Sequence, residues 1–70
     1  MIRKGTDVKW SWGNGSATGK VKETHTEEIE RTIKGNKVTR TGSDDDEALV
    51  IEQEDGTTVL KLESEVERAD

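Results

Sequence analysis

Apolar residues in this chain recur at every second position, and glycines break the runs. Val8, Trp10 and Trp12 fall on one face of an extended segment, with Lys9 and Ser11 on the other. Gly13-Asn14-Gly15-Ser16 interrupts it with residues that accept positive φ. A second strand follows, with Ala17, Gly19 and Val21 on one face and Thr18, Lys20 and Lys22 on the other. Glu23-Thr24-His25-Thr26 can extend it, because Thr favours extended backbone. Residues 29–40 read as a hairpin: Ile29 and Ile33 lead in, Gly35-Asn36 turns, and Val38 and Arg40 lead out. A helix over residues 24–34, capped by Thr26 with Ile29 and Ile33 four apart, is the competing pattern.

Thr41 to Glu47 is a polar loop, and Ala48 to Glu54 is the strongest strand in the chain. Asp55-Gly56 predicts a two-residue hairpin turn into a strand from Thr57 to Leu62. Glu63 to Arg68 predicts a short helical turn, with Val66 tucked back onto the body and the acids facing water. Five short strands, tight turns and no long helix predict an all-β class, as a small barrel or twisted sheet. Closure would hide edges that otherwise aggregate. A length of 70 residues predicts a single domain, 1–70, with no disulfide staple because Cys is absent.

Composition pulls the other way. Charged residues make up 39% of the chain and apolar ones 27%, a balance that leans toward disorder. The patterning of those few apolar residues decides for a folded domain. Charge is uneven: residues 1–40 carry nine Lys/Arg and five Asp/Glu, whereas residues 41–70 carry two and eleven, for an overall −5. A net acidic chain repels phosphate backbones. No apolar run resembles a signal peptide or a membrane span, so a cytoplasmic protein is expected.

Certain residues, taken in order, carry a resemblance. Lys4-Gly5-x-Asp7-Val8-x-Trp10, a Gly/Ser turn and Gly19-x-Val21 resemble the opening of SH3-like and Tudor-like barrels. Val21-x-Glu23-x-His25-Thr26, a Lys34-Gly35 turn, Arg40 and Ser43-x-Asp45-Asp46 are similar to the Tudor-like domain of the hypervirulence-associated protein family. Relative to that pattern Trp12 is extra. Glu47 and Leu49 stand where the family tends to have Pro and Tyr. The resemblance implies a five-stranded SH3-like or Tudor-like barrel ending in a short helical turn. It also implies a binding module rather than a catalyst, and supplies no catalytic residues to carry over.

Candidate sites are few. Trp10 and Trp12 are the only aromatic residues, and two rings in one row make a wall, not the box that encloses a cation. Trp10 is expected in the core. Trp12, nearer the strand end, is a candidate partner contact. His25 can bind a ligand or shuttle a proton near neutral pH, or simply hydrogen-bond a neighbour at an edge. Arg40 precedes the acidic loop and can pair with it or bind an anion. Asp44-Asp45-Asp46-Glu47 lacks the alternating ligands and the glycine of an EF-hand, so a solvated loop is expected, with Ser43 or Asp45 capping a turn.

No catalytic site, cofactor or metal is expected. A lone His points to no Ser-His-Asp triad, which is recognised by geometry. Gly13-x-Gly15-x-x-x-Gly19 lacks the features of a phosphate loop. A pocket of about 300 Å³ or more is a lot for this length.

Two functions remain. The first is protein interaction by a monomeric module, favouring a basic partner that adds a strand to an open edge or lies across Trp12. The second is nucleic-acid or small-ligand binding, if Lys20, Lys22, Lys34, Lys37 and Arg40 gather on one face.

Overall fold

A computed structural model describes residues 2–69. The strands are β1 (Asp7–Trp12), β2 (Gly15–His25), β3 (Glu28–Ile33), β4 (Asn36–Thr41), β5 (Ala48–Glu52), β6 (Thr58–Leu62) and β7 (Glu67–Arg68). A 3-10 turn, Glu63–Glu65, precedes β7. The all-β class holds. Seven strands form among the described residues against the five-stranded expectation: the two arms of the residue 29–40 hairpin are separate strands, and residues 67–68, read as part of a helical turn, form the last.

The predicted barrel does not close. One antiparallel sheet has the order β6-β5-β2-β1-β7, and β3 and β4 form a separate two-stranded sheet. Residues 28–33 are strand, not helix. Ile29 and Ile33 pack with Val38 of the facing strand, and β-branched side chains favour the extended backbone that brings them together. The β3–β4 turn is Lys34-Gly35, one residue earlier than the Gly35-Asn36 reading. Both residues have positive φ, 52° and 82°, the type I′ geometry that matches strand twist. The Asp55-Gly56 turn is longer than predicted: Gln53 N–H donates to Thr57 O at 2.8 Å, so residues 54–56 form the loop, with Gly56 at φ 87°.

The core divides in two around β5. Leu49 and Ile51 join Ile2, Val8, Trp10 and Val21 on one face, and Val66 packs there as expected. Ala48 and Val50 join Ile29 and Leu60 on the other, covered by Ile33 and Val38 of the hairpin. Alternation along β5 therefore feeds both clusters, which is why ALVI reads as a continuous apolar run. Gly42, at the end of the hairpin, is buried. A Cβ there would be driven into the His25 carbonyl oxygen and lie 2.7 Å from the Ala48 nitrogen, so only glycine fits.

Side chains take the place of the missing ladder between the two sheets. On β3, Arg31 Nη2 donates to Glu23 Oε1 on β2 at 2.8 Å, and its Nη1 donates to the Glu30 carbonyl at 3.0 Å. On β4, Arg40 Nε donates to Glu65 Oε1 at 3.4 Å, and its Nη1 donates to the Thr39 carbonyl at 2.9 Å. Each arginine thus caps the carbonyl of the residue before it and reaches a glutamate outside the hairpin.

Candidate functional site

Trp10 and Trp12 lie on one face of β1, yet Trp10 is 8% exposed and Trp12 63%. Register explains the difference. Trp10 stands opposite Ala17, within the first cluster, whereas Trp12 stands opposite Gly15, which offers no side chain to cover it. Trp12 lines a shallow recess of about 370 Å³ with Thr18, Gln53, Glu54 and Asp55 among its walls. The β1–β2 hairpin supplies the ring, and the β5–β6 loop supplies the acids.

Asp55 accepts a hydrogen bond from Thr57 N–H at 2.9 Å. That backbone bond holds its carboxyl below the ordinary value of 3.8. The recess therefore sets an open indole beside a carboxylate whose charged form that bond favours. Such a surface attracts an ammonium or guanidinium group, by ring quadrupole and by charge. Sequence reading singled out Trp12 but missed Glu54 and Asp55, because only the loop geometry brings them beside it.

His25 sits elsewhere, at the end of β2. Its Nε2 is 2.8 Å from Glu23 Oε1 and its Nδ1 3.9 Å from Glu27 Oε1. The hydrogen bond from His25, joined by the charge of Arg31, holds the Glu23 carboxyl below its ordinary value. Arg31 and Glu23 tie β2 to β3 here, and His25 is hydrogen-bonded to Glu23 on its own strand. Arg40 pairs with Glu65 rather than with the acidic loop, since β4 packs against β6, which leads into the Glu63–Glu65 turn.

The acidic loop is not simply solvated. Ser43 and Asp46 exchange backbone hydrogen bonds at 3.0 and 3.2 Å. Asp46 then accepts from Ser64 N–H at 2.8 Å and Ser64 Oγ at 2.7 Å. Asp46 plays the capping part the pattern gives to Ser43 or Asp45, for a turn 18 residues away that sequence spacing does not reveal.

The basic residues of β2 each lie beside a carboxylate. Lys20 Nζ lies 3.8 Å from Asp7, and Lys22 Nζ 3.5 Å from Glu52. Both line an open groove of about 670 Å³, larger than the length of the chain suggests, in which acids and bases alternate. Lys34 lies beside Asp55 at the far turn.

A sequence profile of the hypervirulence associated proteins TUDOR domain matches residues 5–66. The chain belongs to this hypervirulence-associated Tudor family. No curated protein and no solved structure matches it significantly. Family membership and the small β fold agree with a binding module. Within the matched span, Lys34-Gly35 joins β3 to β4, Glu23 and His25 are hydrogen-bonded on β2, and Trp12 lines the recess.

Proposed function

We propose that this protein is a non-catalytic interaction module that holds a basic side chain of a partner protein against Trp12. The observation that carries this reading is the exposed indole of Trp12 beside Glu54 and Asp55. A partner cation there gains the ring face and two carboxylates at once. Nucleic acid fits less well, because Lys20, Lys22 and Arg40 each lie against a carboxylate that offsets their charge. No helix among the described residues is long and apolar enough to cross a membrane. We read the protein as a cytoplasmic monomer of one domain, 1–70.

Titration with short lysine- and arginine-rich peptides, followed by calorimetry, tests the reading. Trp12→Ala is expected to weaken binding about tenfold while leaving the thermal melt in place. Equal affinity of Trp12→Ala and the parent chain for every peptide sinks it.

A further inference from the structure

Strand edges in this molecule are treated unequally. On β3 the outward Glu30 carbonyl is capped by Arg31, and on β4 the outward Thr39 carbonyl by Arg40. On β6 the outward Leu62 N–H donates to Glu65 Oε1 at 2.7 Å. Each of these edges has a polar side chain seated where an incoming strand would bond.

β1 differs. Its inner side pairs with β2 along its whole length. Its outer side pairs with β7 only at Val8 and Lys9. Ala69 N–H donates to the Asp7 carbonyl at 2.8 Å, which sets the phase: Asp7, Lys9 and Ser11 turn their backbone groups away from β2. Beyond Lys9 the facing chain leaves through Val66 into the core. Among the described residues, no strand pairs with Ser11 on that side, and the next residue is the exposed Trp12.

We infer that a basic, extended segment of a partner protein adds to the outer edge of β1, bonding the Ser11 N–H and C=O while one of its cations lies on Trp12. This rests on the Trp12 reading and gives its binding mode, strand addition. Charge selects the occupant. Glu54 and Asp55 border Trp12, and the chain carries net −5, so a second copy would set acidic recess near acidic recess. Side chains of an added strand alternate, so cations at every second position would all face the Trp12 side.

An alternating threonine–lysine heptapeptide, blocked at both ends, is the probe. Bound to the full chain, it is expected to change Trp12 fluorescence and to slow amide hydrogen exchange at Ser11 about tenfold or more. Chemical synthesis of the chain with an N-methyl group on Ser11 removes that N–H without touching the β1–β2 ladder. It is expected to weaken binding about tenfold with an unchanged melt. Binding sensed by Trp12 but with no change in Ser11 exchange, or indifferent to the N-methyl group, overturns strand addition and leaves the Trp12 reading standing. Absence of any fluorescence response overturns both. Ser11 protection that grows with protein concentration alone assigns the edge to a second copy and overturns the proposal.

Discussion

Two tryptophans two residues apart on one face of β1 do opposite work. Trp10 fills the first cluster, so Trp10→Ala is expected to cost about 3–5 kcal/mol, enough to unfold much of the protein at room temperature. Trp12→Ala removes little buried area and is expected to shift stability by less than about 0.5 kcal/mol. Urea melts of the two variants check this, and acrylamide should quench the Trp12 emission far more than that of Trp10. The strand end and its glycines hint at the contrast in the sequence. The reason for it, Gly15 opposite Trp12, becomes visible only with the register. Gly42 is a quieter case. Gly42→Ala is expected to lose about 1–3 kcal/mol or more, since its Cβ meets backbone atoms that have nowhere to go.

At the scale of elements, the hairpin β3–β4 is clipped onto the main sheet by apolar packing and two arginines. Exposed ion pairs contribute about 0–1 kcal/mol each. Replacing both Arg31 and Arg40 with Met is therefore expected to cost modest stability, yet to uncap two strand edges. The measurable outcome is faster amide exchange in residues 28–41 than in β5, together with new self-association by light scattering. Asp46→Asn is expected to lose about 1 kcal/mol through its bonds to Ser64. Most strands were legible in the sequence, because period-two alternation and glycine turns are local signals. The failure to close, β7, and the Arg31 and Asp46 anchors were not. They depend on partners 8 and 18 residues away, and alternation says nothing about which sheet a hairpin joins.

Across the whole molecule two ion pairs join the basic half of the sequence to the acidic half. Lys22 of the basic half meets Glu52 of the acidic half, and Arg40 meets Glu65. The acidic excess of residues 41–70 remains, and Glu54 and Asp55 are the part of it that borders Trp12. Glu23 and Asp55 titrate lower in the folded chain than in the unfolded one, so the folded state binds fewer protons in acid. Their contributions are complete above the ordinary values of 4.5 and 3.8 and disappear as pH falls through the folded ones. Urea midpoints are expected to stay level from pH 7 to about 5 and to drop below about pH 4.5.

β5 sends Leu49 and Ile51 to one cluster and Ala48 and Val50 to the other. A single ribbon of backbone is thus the keel of both hydrophobic compartments, and neither can empty while the other stays full. Melting should accordingly be one event by every probe. Val50→Asp, in the cluster that lacks Trp10, should still release the Trp10 indole into water.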